Sequence, residues 1–159
     1  MISDVNARVF ELLAGSWRLD REISGIASFC GRAEFRATKE ARVLGYTESG
    51  LISMLSGYSA TASRQLRYCR VDDGIAIRDD DGIRRGATLH LLSFDRDSDF
   101  RLLAQHRLVC GRDVYDLVMT IFEPDRFETQ YRVSGPRKGY RMLTIYTREA
   151  TRSYSIRVR

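Results

Sequence analysis

The stretch HRLVCGRDVY, residues 106–115, brings a histidine, a cysteine, an aspartate and a tyrosine into ten positions. Residues of these types can ligate a metal, supply a thiol nucleophile or pass a proton between donor and acceptor. Their spacing narrows the choice. Gly111 and Arg112 stand between two segments of alternating polarity, the signature of a two-residue type II′ hairpin. That turn pairs Cys110 with Asp113, Leu108 with Tyr115 and His106 with Leu117, and sets Arg107 opposite Asp116 on the other face. An opposite-charge cross-strand pair belongs outside, so His106, Cys110, Asp113 and Tyr115 face inward with Leu102, Leu108, Leu117 and Met119. Along an extended strand His106 and Cys110 stand roughly 13 Å apart, too far to share one zinc. No metal site is expected. Cys110 and Asp113 form a polar rim beside the turn on this reading, with an inert buried cysteine as the alternative.

The second of the chain's two histidines falls near the first. If DRDSD at 95–99 is a five-residue loop, Phe94 pairs with Phe100 and His90 with Ala104, so His90 faces inward and lies diagonal to His106. Diagonal partners sit about 7 to 8 Å apart, and Tyr115 is diagonal to His106 as well. His90, His106 and Tyr115 thus converge beside the small Ala104. Such a cluster can orient the polar end of a ligand, act as an acid-base group near neutral pH, or satisfy itself as a structural network.

Two loops bear on the same interior. If the turn EPDR runs through three residues, Phe127, Thr129, Tyr131 and Val133 point inward; if through two, Glu128, Gln130 and Arg132 do, with Arg132 as a carboxylate clamp. Burying unpaired charge is costly, which favours the face carrying Tyr131. In SGPRKGY, Pro136 fixes the turn and holds Arg137 and Lys138 at one mouth, where they can grip an anionic ligand or remain solvated.

These residues need a scaffold that turns alternate side chains inward. Residues 3–14 read as a short helix, capped by Ser3 or Asp4, with Val5, Val9, Leu12 and Leu13 at helical spacing and Gly15 as the stop. After Gly15 the period becomes two: WRLDREI places Trp17, Leu19 and Ile23 on one face, and alternation recurs in CGRAEFRAT, ARVLGYTE, SRQLRYCRV, ATLHLLSF, FRLLAQHRLVC, VYDLVMTIF, RFETQYRV and YRMLTIYTR. Turn residues separate them. The stretch from Ser49 to Ala62 is the least regular and reads as a lid or a broken strand. About eight to ten strands joined by short loops most economically hide their edges by closing. The fold class expected is all-β: an antiparallel up-and-down barrel over about 16–150, closed at one end by the helix, in a single domain with a tail at 151–159.

Composition sets the outer bounds. The 159 residues are 43% hydrophobic and 30% charged, enough for one packed soluble domain. The net charge of +5 comes almost wholly from arginine, the only lysines being Lys39 and Lys138, but 21 acidic residues are interspersed with the 26 basic ones. That argues against nucleic acid as a partner. Cys30, Cys69 and Cys110 are odd in number and far apart, which argues against a disulfide framework and a structural zinc site and leaves a reducing cytoplasm as the default expectation. The opening MISDVNARVFELLAG is neither signal peptide nor membrane span.

Gly15 and Trp17 form a GxW at the start of the first strand, and Arg148 lies on the last strong strand. This resembles lipocalins and their calycin relatives, in which the tryptophan closes one barrel end and a last-strand arginine packs over it. The combination HxxxCxxDxY at 106–115, GPRKGY at 135–140 and a YTR ending resembles an uncharacterised family of bacterial and eukaryotic calycin-like domains of about 150 residues, from Leu13 to Arg148. Gly139 stands where that family carries an acidic residue. The resemblance implies a fold and no activity.

The leading functional expectation is a barrel that binds a small, partly apolar molecule, anionic if Arg137 takes part. His90, His106 and Tyr115 orient its polar end, and Cys110, Asp113, Met119 and Tyr131 complete the wall. Three alternatives remain open. One is an isomerase, cyclase or hydrolase using His106 as base with Tyr115 or His90 as acid. Another is haem held by one histidine, as in nitrobindin-like barrels. The third is a filled barrel serving as an interaction module. No nucleophile elbow, P-loop, dinucleotide fingerprint or HExxH is present.

Overall fold

The computed structural model describes residues 4–96 and 101–150; Ser3, the DRDSD residues 97–99, Phe100 and the tail 151–159 lie outside the described residues. Asp4 caps helix α1 (Val5–Leu13), its carboxylate accepting from the Ala7 amide at 3.2 Å, and Val9 and Leu13 are the side chains the helix buries. The chain continues through β1 (Gly15–Ile23), β2 (Ala27–Ala37), β3 (Val43–Met54), β4 (Ser59–Val71), β5 (Gly74–Asp79) and β6 (Thr88–Leu92). The two-residue β7 (Asp95–Arg96), β8 (Leu102–Cys110), β9 (Asp113–Glu123), β10 (Arg126–Gly135) and β11 (Lys138–Arg148) follow.

These eleven strands form one sheet in the order β6-β5-β4-β3-β2-β1-β11-β10-β9-β8-β7. Every neighbour is antiparallel, and the sheet curls into a barrel that is open along one side. Among the described residues no helix is long and apolar enough to cross a membrane.

The strand count exceeds eight to ten for two local reasons. Strand β5, GIAIRD, buries its first four residues in succession, so it offers no alternation to read. The second reason lies at β6. Ile77 pairs with His90 and the next residue, Arg78, with Thr88, which leaves Leu89 as the extra residue of a β-bulge. After Leu92 the chain bends, and β7 picks up Leu103 and Leu102 of β8. The regular hairpin that would pair His90 with Ala104 is therefore not formed. Among the described residues β6 and β8 pack side by side but share no ladder.

The segment 49–62 is neither lid nor broken strand, since β3 and β4 pair without interruption from Val43 with Cys69 to Ser53 with Ser59. Of its two glycines, Gly50 has a different purpose. Gly50 lies opposite Gly31, and a Cβ there would fall 2.2 Å from the carbonyl oxygen of Cys30, so the pair marks a close approach of β2 and β3.

The β8–β9 hairpin follows its expected register, Cys110 opposite Asp113 and His106 opposite Leu117. Gly111 has φ 62° while Arg112 does not take a positive φ, as a type II′ turn requires. Arg107 pairs with Asp116 at 2.7 Å on the outer face. At the next turn the two-residue link Pro124-Asp125 is followed by a register shift: Arg126 pairs with Glu123, but Phe127 pairs with Ile121. The bulge reverses the face that a plain two-residue turn would present, and Phe127, Thr129 and Val133 are buried.

The helix end of the barrel is filled. Phe127 stacks on Tyr146 at 4.2 Å between centroids and meets Trp17 edge-on at 4.7 Å. The Trp17 indole donates to the Leu13 carbonyl at 2.9 Å. The Arg148 guanidinium lies 4.2 Å over the Trp17 ring and donates to the carbonyls of Leu12, Ala14 and Pro124 and to the Asp125 carboxylate. Gly15, Trp17 and Arg148 together close this end.

Candidate functional site

Beyond the aromatic plug the interior turns polar. Arg21 on β1 shares the inward face of Trp17 and Leu19, and its guanidinium grips Glu48 of β3 through two bonds of 3.1 and 2.8 Å. Its Nε donates to Thr144 of β11 at 2.8 Å. The Tyr46 hydroxyl donates to Glu48 at 2.7 Å and lies 2.9 Å from the Tyr146 hydroxyl. Side-chain exposure is 15% for Arg21 and 7% for Glu48, so both charges are largely withdrawn from water. Burial opposes the Arg21 charge, but Tyr146, Glu48 and Tyr46 around it hold its pKa above the ordinary value. Burial also pushes the Tyr46 and Tyr68 phenols well up, which keeps them neutral donors. Every buried side-chain polar atom among the described residues is hydrogen-bonded, the condition under which a buried ion pair is tolerated.

This floor bounds a small chamber of about 60 Å³. The chamber adjoins a larger cleft of about 510 Å³ that opens between β4–β6 and β8–β11. Arg64, Leu89, Tyr131 and Met142 line both spaces. Leu89 reaches them because the bulge in β6 turns it to the same side as His90.

On the cleft wall, His90 Nδ1 lies 3.0 Å from His106 Nδ1, and the rings meet edge to face with centroids 5.2 Å apart. A bond between two like nitrogens requires complementary tautomers, one donating and the other accepting. His90 is 2% exposed. Burial first, then the nearby His106 and Arg64, pulls its pKa down to about 4, so it is neutral at pH 7. Tyr131 packs beside it at 5.5 Å between ring centroids, and burial raises the Tyr131 pKa.

At the rim, Lys138 donates to the Tyr115 hydroxyl at 2.8 Å and pairs with Asp113 at 3.1 Å. These two partners hold the Lys138 pKa above its usual value. Arg84 donates to Cys110 Sγ. Asp79 accepts from the amides of Asp81 and Gly82.

Of the residues singled out by sequence, His90, Cys110, Asp113, Tyr115 and Tyr131 line the cleft. His106 supports His90 from behind. Tyr115 does not join the histidines, because Lys138 draws its hydroxyl to the rim, and Tyr131 takes that place. Met119 belongs to the packed core. Arg137 is exposed in the two-residue turn between Gly135 and Lys138 and does not line the cleft; its neighbour Lys138 does. Arg21, Tyr46, Glu48, Arg64 and Arg84 were not foreseen. Strand parity is the one sequence signal for the strand residues among them: Arg21 follows Trp17 and Leu19, and Glu48 follows Leu44 and Tyr46; Arg84 lies in the turn between β5 and β6, which carries no such signal. Among the described residues no three His, Cys, Asp or Glu side chains form a group that could hold a metal ion.

Fold and site together define an antiparallel β-barrel, plugged by aromatic side chains at its helix end and carrying a polar-floored cavity at the other. The chain belongs to the DUF6314 family of unknown function, whose sequence model matches residues 13–148. In structure it is similar to the S-type phycobiliprotein lyase CPES from Guillardia theta, at 12% identity and a TM-score of 0.61, with 91% of this chain and 93% of that chain covered. It is also similar to a redesigned β-barrel, mFAP1, bound to DFHBI, at 15% identity and a TM-score of 0.47, with 89% and 99% covered. At such identities the likeness concerns the fold alone. Among curated proteins none matches the chain.

Proposed function

We propose that this protein binds a small, partly apolar molecule inside the barrel, with its polar end turned toward His90 and the Arg21–Glu48 floor. The observation that carries the reading is the continuity of cleft and chamber. A space of about 510 Å³ leads through Arg64, Leu89, Tyr131 and Met142 to a hydrogen-bonded polar floor. Small-molecule sites span about 300–1,000 Å³ and combine apolar walls with a few convergent polar groups. Leu108, Val133 and Met142 supply the apolar wall here, and the His90–His106 bond fixes the orientation of the polar group at its side.

The test is native mass spectrometry of gently purified protein, followed by titration with the neutral fluorescent probe N-phenyl-1-naphthylamine. The expected result is a discrete adduct or saturable probe uptake that Leu89→Trp, which fills the junction of the two spaces, abolishes. A clean apo mass with no probe uptake would overturn the reading. So would uptake that Leu89→Trp leaves unchanged.

A further inference from the structure

The charged residues around the cavity do not balance. Arg21 is engaged by Glu48, and Lys138 by Asp113. Arg84 and Asp79 add one charge of each sign, the carboxylate of Asp79 already accepting from two backbone amides. Arg64 is left over: four cations face three carboxylates, and buried His90 contributes no charge at neutral pH.

Arg64 is also unusual in its bonding. On β4 it lies directly opposite Glu48 of β3, yet both Glu48 oxygens are taken by Arg21 and one by Tyr46 as well. Among the described residues the Arg64 side chain makes no hydrogen bond or ion pair. Its charge is nonetheless felt across the cavity, by Tyr68, Asp79, His90 and Tyr131. An arginine on an inward-facing strand position, exposed at the junction of chamber and cleft, presents five donors that no described protein group receives.

We infer that the ligand is an organic monoanion, a carboxylate or sulfonate on an apolar body, and that Arg64 is the residue that binds its charge. The inference rests on the proposed ligand-binding reading and adds the charge of the ligand to it. One surplus positive charge calls for one negative charge, not for a polyphosphate. The planar guanidinium suits the two oxygens of a carboxylate. Leu89, Tyr131 and Met142 on either side of Arg64 offer the apolar body a place to lie.

The experiment compares two probes that share one aromatic body, anionic 8-anilinonaphthalene-1-sulfonate and neutral N-phenyl-1-naphthylamine. Each is titrated by fluorescence into the wild type, Arg64→Gln, Arg64→Lys and Leu89→Trp. Arg64→Gln removes no internal bond, so its thermal midpoint should match the wild type and serves as the folding control. The expected result is that Arg64→Gln weakens the sulfonate about tenfold or more, the scale of a lost charged hydrogen bond, and leaves the neutral probe unchanged. Arg64→Lys should recover part of the loss, and Leu89→Trp should block both probes. If Leu89→Trp blocks both while Arg64→Gln leaves their ratio unchanged, or if only the neutral probe binds, the monoanion inference falls and the binding reading stands. If neither probe binds, or if Leu89→Trp has no effect on either, both fall together.

Discussion

His90 and His106 meet Nδ1 to Nδ1 at 3.0 Å, across the one place where two adjacent strands, β6 and β8, exchange no ladder among the described residues. A side-chain bond holds the barrel wall where backbone bonds are missing. The same bond fixes the ring that faces the cleft.

This arrangement makes stability depend on pH in a defined direction. The His90 pKa is about 4 in the folded protein, against an ordinary value of 6.5. Between those values the unfolded chain holds the extra proton, so stability is full above about 6.5, falls as pH drops toward 4 and levels off below. The loss should amount to roughly 2–3 kcal/mol. Denaturant unfolding at pH 7.5, 5.5 and 4 measures it, with His90→Phe as reference. A variant that keeps the full wild-type slope through this window would disprove the assignment to His90.

The open wall should also be visible in exchange kinetics. Amide exchange tracks local opening, and a strand paired on one side opens most readily. Residues 88–92 should therefore exchange hydrogen faster than β2, β3 or β10, which are paired on both sides, even though His90 and Leu92 are buried. Hydrogen-exchange mass spectrometry reads this directly, and equal protection in all four strands would contradict it.

At the opposite end, Arg148→Met should cost about 3–4 kcal/mol. It removes a part-buried bond to the Leu12 carbonyl and exposed ones to Ala14 and Pro124, and it uncovers Trp17. Arg148→Lys should recover little, because an ammonium cannot reach the same set of acceptors in the geometry of a planar fork. The fluorescence of Trp17, the only tryptophan, supplies the unfolding signal.

Glu48→Ala and Arg21→Met should each destabilise by about 3–5 kcal/mol, since each leaves a buried charge unpaired. The double variant should lose less than the sum of the two. A strictly additive cycle would mean that the pair is not coupled, against the two bonds it makes.

How much of this could be read from the chain depended on local regularity. The Gly111-Arg112 turn determines its hairpin completely, so the inward placement of Cys110, Asp113 and His106 follows from counting residues. The face of β10 was legible for an energetic reason, the cost of burying Glu128 and Arg132, since loop length left both faces open; the bulge beside Phe122 lets a two-residue link present the apolar face. His90 was placed on the correct side, but the route to it was wrong, because the bulge at Leu89 and the bend before β7 have no marker such as glycine or proline. Glu48 and Arg64 were missed because a charged residue in a strand is read as outward unless its partner is known. The partner of Glu48 lies 27 residues away on Arg21, and local pattern does not link them.

The position of the open wall has a consequence for how the chain could be rewired. The first and last strands, β1 and β11, are neighbours in the middle of the sheet, Trp17 opposite Arg148, while the chain's midpoint supplies both edges. A circular permutant that joins the end of β11 to the start of α1, and begins instead at β7, would run from one edge to β6 at the other as an uninterrupted meander. The cut would fall where no backbone ladder has to be broken.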